Sequence, residues 1–254
     1  MTLLRLLLLS TSMALFGCGT APTDRASTIR VAAGSDLQKV LPELVAIYRN
    51  LSGAEVVLTF GASGQLAEQI KAGAPFDLFL SANQKYVGDL AALGHLRRES
   101  IATYAIGSLV LAIHEGAPAL NGIGDLTRPD IRKVAIANPE FAPYGVAARQ
   151  ALQAAGVWDA LQGKLVLGES GRQAFQYVQT GNAEAGLVSK ATGEGAGLRI
   201  TEIDPRLYEP IVQDLAIVNG SRNLKLAEGF RTFMLGETAR NVLASHGFRL
   251  PDAP

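Results

Sequence analysis

At 254 residues with 48% apolar content, the chain has material for one large or two small domains with a sizeable core. Lys+Arg and Asp+Glu balance at 23 each, so no bulk charge draws it to nucleic acid. One cysteine and three histidines exclude a disulfide scaffold, and no His, Cys or carboxylate cluster has metal-ligand spacing.

Residues 1–17 hold one charge, Arg5, then the apolar run Leu6 to Leu9 and Met13-Ala14-Leu15-Phe16. This is the layout of a secretory signal and is too short for a membrane span. The run ends at Leu15-Phe16-Gly17-Cys18, which resembles the lipidation box of bacterial lipoproteins, where the cysteine is acylated and becomes the new N-terminus. The alternative is an ordinary signal with an incidental cysteine. Residues 18–28, with Pro22 and several Ser, Thr and Ala, read as a tether.

Strands and helices then alternate. A strand is expected near Ile29–Ala33, a helix from there to about Asn50, a strand at Val56–Phe60 and a helix at Gln65–Lys71. Pro42 falls early in the first helix, so regular helix is expected to begin nearer Lys39 after an irregular turn. The apolar run Leu78-Phe79-Leu80 follows, then a helix over Asn83–Leu93, and Gly107 to Ile113 reads as one continuous buried strand. A second set begins at Val134–Ala137, continues through helices at Val146–Ala155 and Gln173–Thr180, and includes strands at Lys164–Leu167 and Ala185–Val188. Gly193 to Gly197 reads as a flexible turn and lacks the dinucleotide fingerprint. The chain closes with a strand at Ile211–Val218, an amphipathic helix at Leu224–Leu235 and a short helix ending near His246-Gly247. Two βα sets of similar size imply an α/β protein of two lobes with a cleft between them.

Two stretches stand out, Val31-Ala32-Ala33-Gly34-Ser35-Asp36-Leu37 and Leu58-Thr59-Phe60-Gly61-Ala62-Ser63-Gly64-Gln65. Each is a short apolar strand that stops at small residues, presents a serine and enters a helix. A helix N-terminus offers free N–H groups and the positive end of the macrodipole, so a serine there helps hold an anion without a charged side chain. The same serines also suit ordinary N-caps. The loop Asn138 to Gly145, stiffened by Pro139 and Pro143, aims further N–H groups at the head of the next helix.

Gly61-Ala62-Ser63-Gly64-Gln65-Leu66-Ala67-Glu68-Gln69-Ile70, Gly73-Ala74-Pro75-Phe76-Asp77-Leu78-Phe79-Leu80-Ser81-Ala82 and Asn138-Pro139-Glu140 resemble the periplasmic molybdate-binding proteins of ABC transporters. Ala32-Ala33-Gly34-Ser35 and His246-Gly247-Phe248 agree, and the likeness spans nearly all of the chain after Cys18. It implies a type II periplasmic binding fold, with lobe one at about 29–106 plus 214–254 and lobe two at 107–213. It also implies capture of molybdate or tungstate, with no cofactor and no catalysis, by a monomer that hands the anion to a permease. Localisation would be periplasmic, membrane-anchored through Cys18.

The resemblance carries over residue by residue. Ser35 and Ser63 match the two serines of the first lobe, each implied to donate a hydroxyl and an N–H. Tyr144 falls where some members have alanine and others tyrosine, and Gly171 where valine often donates its N–H. Ser189 stands where well-known members place a tyrosine that reaches the anion. Serine is too short for that contact, so Tyr144 supplies the phenol from the opposite wall, Lys190 or Arg172 reaches inward, or a water bridges.

Two rival readings stand beside this one. A sulfate or phosphate receptor could use the same fold. A serine hydrolase would use Ser35 or Ser63, but Gly61-Ala62-Ser63-Gly64-Gln65 lacks the second glycine of a nucleophile elbow, and His95, His114 and His246 have no evident base role.

Overall fold

The computed structural model describes residues 28–193, 195 and 197–251. The leader at 1–17, Cys18 and the tether up to residue 27 lie outside the described residues. In chain order the strands are β1 (Thr28–Gly34), β2 (Glu55–Gly61), β3 (Leu78–Ser81), β4 (Ala102–Gly107), β5 (Leu109–Ile113), β6 (Val134–Ala137), β7 (Leu165–Gly168), β8 (Ala185–Ser189), β9 (Arg199–Glu202) and β10 (Ile211–Ile217). The helices are α1 (Leu41–Ser52), α2 (Ser63–Lys71), α3 (Gln84–Ala92), α4 (Pro143–Ala154), α5 (Gly171–Gln179), α6 (Lys190–Gly193), α7 (Leu224–Leu235) and α8 (Glu237–Ser245).

The strands form two five-stranded sheets, ordered β2-β1-β3-β10-β4 and β7-β6-β8-β5-β9. In the first, β1 runs parallel to β2 and β3, and β10 antiparallel to β3 and β4. The second repeats this plan, with β6 parallel to β7 and β8 and β5 antiparallel to β8 and β9. The two sheets are therefore the same mixed arrangement built twice. Strands β3, β5, β6 and β8 are buried at every position, as their unbroken apolar runs require when helices cover both faces.

Four apolar layers result. On the first sheet, Leu41, Leu44, Phe230, Met234 and Leu243 of α1, α7 and α8 pack on Val31, Leu80 and Leu215, and Leu66, Ile70 and Leu90 of α2 and α3 pack on Ala32 and Phe79. On the second, Ala148, Ala151 and Leu152 of α4 meet Leu111 and Ile136, and Ala174, Phe175 and Val178 of α5 meet Val110 and Ala135.

The structure departs from the sequence pattern where the chain changes sheets. The run from Gly107 to Ile113 is not one strand: β4 ends in the first sheet at Gly107 and β5 opens in the second at Leu109. The chain returns at Ile211, which pairs with Gly107. Helices α2, α4 and α5 begin two or three residues earlier than their apolar stripes, because Ser63, Pro143 and Gly171 are too small or too polar to enter the 3.6-residue period. The irregular turn expected before Pro42 is a 3-10 turn over Ser35–Gln38, and Pro42 sits in the first turn of α1, where its missing N–H has no carbonyl to lose. Of the glycine-rich segment, Gly193 closes α6, and Gly195 and Gly197 take positive φ of 70° and 73°.

Candidate functional site

Four helical N-termini point into the space between the sheets. The lining of one cavity comprises Gly34, Ser35 and Asp36 at the 3-10 turn, Gly61, Ala62 and Ser63 at α2, Ala142, Pro143 and Tyr144 at α4, and Gly171 at α5, with Ala82 beneath. The cavity is small, about 10 Å³, room for about one water-sized sphere. The first two starts follow β1 and β2, the other two follow β6 and β7, so both sheets contribute the carboxyl ends of neighbouring parallel strands. This is where ligands bind in open α/β sheets.

The serines are not N-caps. Gly34 caps the 3-10 turn and Ala62 caps α2, neither with a side-chain bond, so Ser35 and Ser63 are the first residues inside their helices. Ala142 likewise caps α4 without a side-chain bond, and only α5 of the four has one, from Gln173 N–H to Ser170 Oγ at 3.3 Å. The hydroxyl of Ser63 accepts from Ala82 N–H at 3.0 Å, which leaves its proton to donate. Ser35 and Gly171 approach across the gap between the sheets, since a Cβ on Gly171 would stand 3.3 Å from Ser35 Oγ.

Of the five residues singled out, Ser35, Ser63, Tyr144 and Gly171 line this one cavity. Ser189 does not. It is buried at the end of β8 beside the Tyr144 phenol, and its Oγ completes no well-formed hydrogen bond. Of the side chains named for replacing a tyrosine at 189, Tyr144 lines the cavity. Lys190 pairs with Glu202, and the Arg172 guanidinium stacks 5.2 Å above the Phe175 ring while lining a separate, adjoining cleft with Ser35 and Lys39. His246 pairs with Glu43 and His114 accepts from Gly116 N–H, so neither serves a serine nucleophile.

Sequence reading passed over a buried polar chain behind the cavity. Tyr104 O–H donates to Gln213 Oε1 at 2.7 Å, and Gln213 Nε2 donates to Asp36 Oδ2 at 2.6 Å and to the Tyr144 phenol oxygen at 3.2 Å. The chain joins β4 and β10 of the first sheet to α4 of the second. Burial raises the Asp36 carboxyl above the usual carboxylate range, against the lowering pull of the Gln213 amide, of backbone N–H groups and of Tyr144. Burial likewise pushes the Tyr104 and Tyr144 phenols well above their usual range, with the neighbouring Asp36 adding to it, so both stay protonated donors. The available signal was Gln213-Asp214, two polar residues inside the otherwise apolar strand Ile211–Ile217.

Two like α/β sheets, a cleft between them and a lining of neutral donors define a receptor for a small solute. The family model described as bacterial extracellular solute-binding protein matches residues 29–249, and the chain belongs to that family. It is therefore a binding protein and not an enzyme. The molybdate-binding protein ModA of Rhodobacter capsulatus is 33% identical over 232 residues, 91% of each chain. A putative ABC transporter substrate-binding lipoprotein of Bacillus subtilis, YvgL, is 27% identical over 231 residues, covering 89% of this chain and 88% of its own. Among solved structures, the Azotobacter vinelandii periplasmic molybdate-binding protein superposes with a TM-score of 0.83 at 32% identity, covering 88% of this chain and 100% of that one.

Proposed function

We propose that the protein captures molybdate or tungstate in the interlobe cleft outside the cytoplasm and delivers it to an ABC transporter. One observation carries the reading: helix N-termini from both sheets bring uncharged donors to a single buried cavity. Ser35 and Ser63 donate hydroxyls and backbone N–H groups, Tyr144 its phenol and Gly171 its N–H, with Ser189 held behind Tyr144. Each donor to a charged acceptor in such a site contributes about 1.5–3 kcal/mol. Neutral donors select by size and geometry, whereas a cation would accept any dianion. The kinship to molybdate-binding proteins supports this choice of anion.

Lobe one is taken as 29–106 with 214–254 and lobe two as 107–213. The pairing of Ile211 with Gly107 supports a return to lobe one slightly before position 214. The anion bridges both lobes, and the closed form is what a membrane permease recognises. The leader at 1–17 directs export, lipidation of Cys18 anchors the protein through the 18–28 tether, and the receptor acts as a monomer. The likeness to a lipoprotein of an ABC transporter supports the anchor and the partner.

Titration calorimetry with molybdate, tungstate, sulfate and phosphate tests the reading. Heat with the first two and little with the others is expected. A folded protein that gives none with molybdate or tungstate would refute it.

A further inference from the structure

Asp36 is the one carboxylate in the cavity lining, and none of the donors described above is a cation. It is 3% exposed. Its Oδ2 accepts from Gln213, and its Oδ1 lies 2.7 Å from where a Cβ on Gly34 would stand, a point 3.5 Å from Ser63 Oγ. The carboxyl and the Ser63 hydroxyl thus flank the same corner of the site. The Gln213 amide is engaged at both ends, its Oε1 accepting from Tyr104 and its Nε2 donating to Asp36 and Tyr144.

We propose that oxyanion capture here is proton-coupled: the filled cleft holds one proton on the Asp36 carboxyl, shared with the anion, so a fully ionised dianion enters with uptake of one proton from solvent. The proposal rests on the reading of this cavity as an oxyanion site. An ionised Asp36 beside a dianion would place like charges together in a buried, weakly screened space. Protonation removes that repulsion and converts an acceptor into a further O–H donor aimed at the guest. The balance is simple: carboxylate, proton and dianion become carboxylic acid hydrogen-bonded to dianion, with no bond to the anion broken.

The surroundings do not supply the missing charge. Every group that lowers the Asp36 carboxyl is neutral: the Gln213 amide on β10, the Tyr144 phenol on α4 and backbone N–H groups of its own turn. Tyr104 on β4 adds a neutral phenol behind Gln213, and Asp214 on β10 is held by Thr103. Ser63 of α2 and Ser81 of β3 carry no charge. Lys39 beyond the turn and Arg172 on α5 line the adjoining cleft, where Lys39 Nζ lies 3.7 Å from where a Cβ on Gly195 would stand. Burial already raises the Asp36 carboxyl from its ordinary value, the direction in which a bound dianion would push it further. By reciprocity, the factor by which the anion raises proton affinity is the factor by which a proton raises anion affinity.

The test is calorimetry of the full chain with sodium molybdate, in pairs of buffers of different ionisation enthalpy, from about pH 6 to about pH 9, a window above the ordinary carboxylate range. Expected are proton uptake approaching one per molybdate at the alkaline end and affinity falling there by up to about tenfold per pH unit. Asp36→Asn keeps a neutral donor of the same shape. It should bind molybdate at least about tenfold more tightly than the parent at about pH 9, with the pH dependence gone. The unmodified protein provides a check that needs no variant: an infrared difference spectrum should gain a protonated-carboxyl stretch on adding molybdate. Molybdate binding without proton uptake, with no such band and with the same pH profile in Asp36→Asn, overturns the proposal while leaving the oxyanion site standing. Absence of binding by either protein to any of the four oxyanions removes both.

Discussion

Gly107 shows how closely the site is fitted. A Cβ there would collide with the Tyr144 phenol and stand 3.1 Å from Gln213 Nε2. The glycine ends β4 where the chain leaves the first sheet, so its lack of a side chain lets the phenol on α4 reach the amide on β10. Gly107→Ala is expected to displace Tyr144, cost about 1–3 kcal/mol of stability and weaken molybdate binding, as seen by paired denaturation and calorimetry. Ser63→Ala tests a donor directly. It removes a hydroxyl that accepts from Ala82 and has its proton to give, and a loss of at least about tenfold in affinity is expected, the equivalent of one hydrogen bond to a charged group. Both serines were legible in the sequence because small residues after an apolar run mark a strand-to-helix corner. Asp36 stood in the same stretch, yet its role was not legible, since its partner Gln213 lies 177 residues away.

At the scale of elements, the positions of helix starts matter more than the helices' bodies. The apolar period finds the body of α4, but the start at Pro143 and Tyr144 is what faces the cleft. That start is held close to β6: a Cβ on Gly145 would run into the carbonyl of Ala137. Gly145→Ala therefore forces backbone apart, and a lowered melting temperature with weaker anion binding is expected, whereas a change at an exposed helix-body position such as Gln153→Ala on the same α4 should alter neither appreciably. Helix α7 plays a structural part. Phe230 is fully buried against Tyr48 with ring centroids 5.0 Å apart, and its truncation to alanine is expected to cost about 3–5 kcal/mol in denaturant unfolding.

For the whole molecule, the consequence of a cleft lined from two sheets is that ligand and closure stabilise one another. Ser35 stands opposite Gly171 and Tyr144 against Gln213, contacts that tie elements of the two sheets together. Bound anion should raise the melting temperature with the logarithm of its concentration, the added stability reaching about 2.7 kcal/mol at a hundred times the dissociation constant. Scattering should report a more compact particle with molybdate than without. A thermal shift with sulfate equal to that with molybdate would count against selection by neutral donors.

The sequence by itself determined the alternation of strands and helices, the two like βα sets and the serine corners at Ser35 and Ser63, because hydrophobic period and small-residue punctuation are local properties. The residue-by-residue likeness to a receptor family added Tyr144 and Gly171. Only the tertiary structure decided that the run at Gly107–Ile113 divides between two sheets, that Ser189 stands behind Tyr144 outside the cavity lining, and that Asp36, Gln213, Tyr104 and Tyr144 form one buried chain. Those facts depend on pairings between residues far apart in the chain, where the strength of each contact is set by burial and by what lies opposite, neither of which a local pattern records.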